Sequence, residues 1–296
     1  MTDTLKGHLL ALLTVFIWGT TFVSTKILLE VFQPVQILFL RFFLGWLALW
    51  LFCPHFFHPV KRSQEGLFAA AGFSGVCLYY LLENIALTFT SASSVGVIVS
   101  VAPFFTALLA WLVLKTSKPS GAFFCGFALA LAGITLLSCS GSAFSSDGFG
   151  DLLALLAAFC WAVYSLLTTR IAASGYPVVL TTRRIFFWGL LFMLPLVFLS
   201  GWQANLQHLA KPPVLFNLLF LGLGASALCF ATWNAALKYL GAVQTSVYIY
   251  LVPLITVVAS RLVLREAFSW QIGLGLVLTL AGLFLSQKQP VRKGGI

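Results

Sequence analysis

Residues 9–25 read LLALLTVFIWGTTFVST and residues 152–168 read LLALLAAFCWAVYSLLT. Eight of these 17 aligned positions are identical, among them Leu9/Leu152, Phe16/Phe159, Trp18/Trp161 and Thr25/Thr168. The same offset of 143 sets Arg41 on Arg184 and Phe43 on Phe186. An offset of 150 lays Asn84–Leu114 on Asn234–Leu264 without a gap, with ten of 31 positions matched, including Asn84/Asn234, Ala92/Ala242, Pro103/Pro253 and Thr106/Thr256. Apolar composition inflates such scores, so the matched Trp, Asn and Pro carry the weight. The chain reads as one unit written twice.

Working outward from the repeat, the composition names the solvent. Of 296 residues, 17 are Lys or Arg and 7 are Asp or Glu, so 8% are charged and 60% are hydrophobic. An ordinary soluble domain carries roughly 25% charged residues. The mean hydropathy is +1.03. This excludes a soluble enzyme, a disordered chain and a nucleic-acid-binding domain. The net charge of +10 is spread singly between apolar runs and forms no basic patch. The lipid bilayer is the environment that suits the chain, and no nucleic-acid partner is expected.

Ten apolar stretches can be drawn: 8–28, 35–53, 67–87, 92–114, 120–139, 151–170, 181–200, 214–237, 242–264 and 269–286. Each is long enough for a helix to cross about 30 Å of hydrocarbon. The first is no signal peptide on this reading, because it is long, lacks an A-x-A site and has an internal counterpart. The expected fold is all-α and integral to the membrane, with ten transmembrane helices in two five-helix repeats. Five is odd, so the second copy enters from the opposite side, as an inverted repeat. The expected units are a first repeat at 8–139, an extracytoplasmic linker at 140–150, a second repeat at 151–287 and a cytoplasmic tail at 288–296. With the N-terminus inside, 12 of the 17 Lys and Arg fall on the cytoplasmic side or at cytoplasmic helix ends. Both termini are therefore expected in the cytoplasm of a cell membrane protein.

Trp18-Gly19-Thr20-Thr21-Phe22, Leu40-Arg41-Phe42, Asn84-x-Ala86-Leu87 and Pro103 follow one another in the first copy. Trp161, Arg183-Arg184, Asn234-x-Ala236-Leu237 and Pro253 follow in the second. In order and duplication these resemble the EamA-type permeases of the drug/metabolite transporter superfamily. Leu264-Arg265-Glu266 resembles that family's L-G-E turn before the last helix, with Arg in place of Gly; the first copy has Leu114-Lys115-Thr116 and no Glu. The resemblance implies a ten-helix transporter with a central cavity lined by helices 1–4 and 6–9, helices 5 and 10 being peripheral. It also implies export of amino acids, other small metabolites or drugs.

Several residues could carry transport. Trp18 and Trp161 lie near mid-span, where an indole N–H needs a partner or a wet cavity. Helical spacing puts Trp18, Thr21 and Thr25 on one face and Trp161, Tyr164 and Thr168 on the matching face. The cavity reading sets these two stripes as opposite walls; the alternative is packing with hydroxyls bonded to carbonyls. Tyr80, Ser100, Tyr248 and Tyr250 are further cavity candidates. Pro103 and Pro253 sit at mid-stretch, where proline interrupts a helix, as gating bends or static kinks. Asn84 and Asn234 would bond across to neighbouring helices, at a gate or as plain stitches. Lys26, Arg41, Glu83 and Arg184 are charges within or beside spans. Glu83 has Trp233 at its repeat-equivalent position. It is either a proton or substrate-amine site or a bracing ion pair with Lys26 or Arg41.

The six cysteines form no C-x-x-C pair and read as packing residues. His55-x-x-His58 lacks a third ligand nearby, and no metal or cofactor is expected. There is no G-x-x-x-x-G-K-[ST] for an ATP-driven pump. The function that fits is a secondary exporter of small polar or amphipathic, amino-acid-like metabolites working by alternating access. A multidrug permease of the same fold is the alternative. Coupling would be to a proton or a counter-substrate. An integral-membrane enzyme is disfavoured, because the His and carboxylates are scattered. Labelling of Ser145→Cys and Pro290→Cys in intact cells tests the topology: position 145 should react with an impermeant thiol reagent and position 290 should not.

Overall fold

The computed structural model describes residues 3–56, 62–115, 118–138, 147–201, 209–240, 245 and 248–286. Every regular element among them is helical. Helix α1 (Asp3–Leu28) and α2 (Pro34–Phe52) are continuous. Helix α3 runs as Arg62–Ala71, a π-helical Gly72–Leu78 and Tyr79–Phe89. Helix α4 comes in two pieces, Ala92–Val99 and Ala102–Leu114. Then come α5 (Gly121–Ser138), α6 (Asp147–Ala172) and α7 (Val178–Leu199). Helix α8 runs as Pro212–Leu219, a π-helical Phe220–Leu228 and Cys229–Leu240. Helix α9 opens with a 3₁₀ turn, Tyr248–Leu251, and continues as Val252–Val263; α10 is Trp270–Ser286.

Helices α1–α4 and α6–α8 are long and apolar enough to cross a membrane, and shorter apolar helical stretches occupy α5, α9 and α10. Large apolar side chains such as Leu51, Phe198 and Leu199 are exposed, while Thr14, Arg41, Glu83, Ser226 and Thr256 are buried. That inversion is what hydrocarbon imposes, since it cannot hydrogen-bond a polar group. The molecule has the build of a multi-pass membrane protein.

The helix pairings have a pattern. Helix α1 packs on α8, and α6 on α3. Helix α1 meets α9, and α6 meets α4; α2 meets α8, and α7 meets α3. Helix α2 also touches α7, α4 touches α9, and α5 lies along α10. Moving every helix five places along the chain exchanges the members of the first three sets and returns each contact of the last set to itself. The two π-helical stretches obey the same rule, because the offset of 150 carries Gly72–Leu78 onto residues 222–228.

Close approach of backbones holds these pairs. A Cβ on Gly126 would lie 2.4 Å from the Gly282 carbonyl oxygen, and one on Gly282 would lie 2.4 Å from the Gly126 oxygen. Between lipid-exposed helices, association rests on such small-residue contact and on interhelical hydrogen bonds. Thr14 Oγ1 and Thr232 Oγ1 meet at 2.7 Å, and Thr256 Oγ1 donates to the Gly19 carbonyl at 2.7 Å.

The prolines differ from a mid-helix kink. Pro103 occupies the first turn of Ala102–Leu114, and Pro253 the first turn of Val252–Val263. The breaks lie just upstream, at Ser100–Val101 and at the 3₁₀ turn. Proline is tolerated in a first helical turn because its missing N–H would have no intrahelical acceptor there.

Two non-glycine residues hold a left-handed backbone, Lys115 (φ 53°) and Arg265 (φ 56°). They are equivalent under the offset of 150. The left-handed conformation costs a side-chain-bearing residue roughly 1–2 kcal/mol, which accounts for glycine in the L-G-E turn that 264–266 resembles. Arg265→Gly should therefore raise the unfolding free energy in detergent, by about 1 kcal/mol once the freer unfolded chain is counted. Unfolding monitored by intrinsic fluorescence checks this.

Candidate functional site

Six helices deliver aromatic rings to one place. Trp18 of α1 meets Trp161 of α6 edge-on at 6.1 Å between centroids. Trp18 also meets Phe230 at 6.1 Å and Trp233 at 5.2 Å, both on α8. Trp161 meets Tyr79 of α3 at 5.0 Å and Tyr164 of its own helix at 5.1 Å. Phe42 of α2 links Tyr80 (4.9 Å) to Phe186 of α7 (4.9 Å), and Phe186 closes back on Phe230 at 5.2 Å. Trp18 therefore leans on α8 and Trp161 on α3, the same exchange that the pairings follow. Trp18, Trp161 and Trp233 are half-buried although they stand among buried rings. The Trp18 indole donates to the Ala225 carbonyl at 3.1 Å, inside the π-helical stretch of α8. On the opposite side, Tyr164 fills the space above Gly75, where a Cβ would lie 2.2 Å from its ring. Both π-helical stretches thus face the cluster, and such widened turns occur often at functional sites.

Two charges are sealed beside the rings. Arg41 and Glu83 are each 1% exposed. The Arg41 guanidinium lies 4.3 Å from the Tyr80 ring centroid, and its Nε donates to Ser226 Oγ at 2.9 Å. Its Nη1 has no hydrogen-bond partner, and neither does Oε1 of Glu83. Among the described residues the ion pairs are Lys6–Asp3 and Arg184–Glu65, so Arg41 and Glu83 form no direct ion pair. Burying a charge in this way is costly unless a partner is met. One cation, one anion and an aromatic wall together suit a small amphipathic molecule with groups of both signs.

The other sequence candidates have varied surroundings. Thr21 is buried and donates to the Trp18 carbonyl; Thr168 donates to the Tyr164 and Ser165 carbonyls. Thr25 is buried with an unpartnered Oγ1. Ser100 donates to the Val97 carbonyl at the α4 break. Tyr248 bonds His8 Nδ1 at 2.6 Å, and Tyr250 packs on Phe284 at 5.5 Å, so neither is among the rings that surround Trp18. Asn84 Nδ2 donates to the Pro34 carbonyl at 3.1 Å, which ties α3 to the start of α2. The side chain of Asn234 lies outside the described residues, as does His58. Lys26 donates to the Leu87 and Thr90 carbonyls. Arg184 pairs with Glu65 at 2.7 Å, away from its repeat equivalent Arg41.

Phe42, Tyr79, Phe186, Phe230 and Trp233 join the cluster without having been singled out from sequence. Trp233 carried a signal, because it stands where the other copy has Glu83. Phe230 stands where the other copy has Tyr80. Arg41→Met should lower stability by roughly 3 kcal/mol, since it leaves a buried carboxylate unbalanced. Adding Glu83→Gln should restore most of the loss. Unfolding midpoints of the single and double variants in detergent check the coupling.

The comparisons with known proteins agree with this architecture. A solved crystal structure shares the fold with a TM-score of 0.65 at 19% identity, over 95% of this chain and 96% of that one. A protein of Archaeoglobus fulgidus named an uncharacterized transporter is 31% identical over 286 residues, covering 95% of this chain and 97% of its own. A Salmonella typhimurium protein named a probable amino-acid metabolite efflux pump is 26% identical, covering 95% of this chain and 94% of its own. The EamA-like transporter family matches twice, at residues 5–139 and 148–287. A polytopic helical chain, matched twice and along nearly all its length, the protein belongs to the EamA-like transporter family.

Proposed function

We propose that this protein is a secondary exporter of small zwitterionic or amphipathic metabolites, amino-acid-like in size, working by alternating access. In this reading ten helices form two inverted repeats, 8–139 and 151–287, in a cell membrane with both termini cytoplasmic. The cavity lies between α1–α4 and α6–α9. The observation that carries the proposal is the central cluster itself: Trp18 against Trp161, with Arg41 and Glu83 sealed beside them and one polar atom of each left without a partner. A substrate ammonium would meet Glu83 and a substrate carboxylate would meet Arg41. The exchange of helix pairings between the copies supports two halves that swap conformations around a shared centre. The Salmonella relative, named a probable amino-acid metabolite efflux pump, supports the same reading.

The breaks ahead of Pro103 and Pro253 give each half a place to bend. The conformational difference is a few kcal/mol in scale, because substrate shifts the two states only by its differential affinity for them. A phosphate ester would call for several inward-facing cations, and this centre has one.

Counterflow in proteoliposomes tests the proposal. A panel of labelled amino acids should include at least one with saturable counterflow. For that substrate, Trp18→Ala and Tyr164→Ala should lower flux at least tenfold while the protein still inserts. Glu83→Gln should weaken binding of the zwitterion more than that of its N-acetyl derivative. Saturable counterflow confined to hydrophobic cations would favour a multidrug permease instead.

A further inference from the structure

The turn between α3 and α4 is gripped from two sides. Lys26 of α1 donates to the Leu87 and Thr90 carbonyls at 2.6 and 2.7 Å, where α3 ends. Just beyond, the Glu266 carboxylate accepts from the Ala92 amide at 2.9 Å, the Ser93 amide at 3.3 Å and the Ser93 hydroxyl at 2.7 Å, where α4 begins. A cation thus sits on a helix C-terminus and an anion on the next N-terminus, each matched to the local dipole. Beside them Ser93 Oγ and Ser260 Oγ meet at 2.6 Å, joining α4 to α9. The Arg261 guanidinium donates to the Glu266 carbonyl at 2.9 Å and steadies the turn that presents the carboxylate.

None of this is written in the other copy. The repeat equivalent of Lys26 is Thr169, whose hydroxyl donates to the Ser165 carbonyl of its own helix. The sequence puts Thr116 where Glu266 would be, Val243 where Ser93 would be and Ala110 where Ser260 would be. The repeat architecture therefore does not itself require the grip. It marks one end of the α4–α9 seam and is absent from the pattern at the other.

We infer that Lys26, Glu266, Ser93 and Ser260 form the latch of the outer gate. This rests on the alternating-access reading and on the cytoplasmic placement of the N-terminus, which puts the end of α1 and the α3–α4 turn outside. The outer turn is held by charge-assisted bonds whose Lys and Glu the sequence of the other copy replaces with Thr169 and Thr116, and this bias leaves the protein resting open to the cytoplasm. Substrate then loads from inside, and its binding supplies the free energy that releases the latch. The bias gives an exporter its order of events without a coupling ion at this step.

The test reads accessibility and so does not depend on the substrate. Thr25→Cys, one position from Lys26 on α1, is labelled with a membrane-impermeant sulfonated maleimide from either side of oriented membranes, relative to the parent protein. Adding Glu266→Gln should raise the outside rate about tenfold and lower the inside rate, as expected when charge-assisted bonds are lost. A Ser93→Cys, Ser260→Cys pair should form a disulfide that suppresses outside labelling, and reduction before labelling should restore it. Position 25 labelled from both sides with a ratio that neither change moves would make the grip a permanent helix cap and overturn the latch alone. Labelling from neither side in any form would overturn alternating access and the latch together. Size-exclusion profiles confirm that each variant is folded before labelling.

Discussion

Hydrocarbon offers no hydrogen bond, and the rest of the structure follows from where the chain finds its own. Apolar side chains turn outward at no cost, so the polar ones are gathered inside. The hydroxyls of Thr14, Thr232 and Thr256, the indole of Trp18 and the guanidinium of Arg41 all find partners on other helices. Each such bond is worth about 0.6 kcal/mol on average between helices in lipid. Their effect is to fix which faces meet, and only small residues at the contacts allow backbones near enough to make them. Gly19 against Ile255 and Gly96 against Thr256 are cases where any Cβ would collide.

The same constraint explains why departures from the repeat stand out. Two copies of one unit can share a set of packing contacts, and the helix pairings here do. Charges are another matter, because a buried charge needs a specific answer. Glu83 has Trp233 as its equivalent, and Arg41 has Arg184, which finds Glu65 at a half-exposed position. Packing is held in common between the copies while electrostatics is not. The centre is therefore nearly symmetric in shape and asymmetric in charge.

Much of the fold was legible because a transmembrane chain writes its layout in lengths and repeats. The paired Trp18 and Trp161 pointed to the centre before any geometry, since an indole at mid-depth must have a reason to be there. Other parts were not legible, for physical reasons. Phe42, Phe186 and Phe230 are three of 29 phenylalanines, most of which serve lipid or packing, and nothing in their spacing separates them. The π-helical stretches leave no trace in a pattern that is apolar on every face. The prolines indicated a break but not its position, which lies just ahead of each because proline fits a helical first turn. Helices α1 and α6 begin earlier than hydropathy suggested, since Asp3–Gly7 and Asp147–Gly150 extend them with mostly polar or small residues. Tyr248, a cavity candidate by sequence, bonds its hydroxyl to a histidine 240 positions away, a partner no local pattern announces.

The seam between α5 and α10 has an implication for how this chain can change. Gly126 and Gly282 each occupy the room beside the other's carbonyl, so the contact is isologous, like the face by which two identical subunits join. An interface of that kind couples two positions that lie 156 residues apart in the chain. A side chain at either one meets backbone of the facing helix, the Gly282 oxygen and Ser286 amide on one side and the Gly126 oxygen and Ala130 amide on the other, and the facing glycine has no side chain to give up in return. Neither site is free to drift, alone or with the other, and the pairing of α5 with α10 holds both positions to glycine.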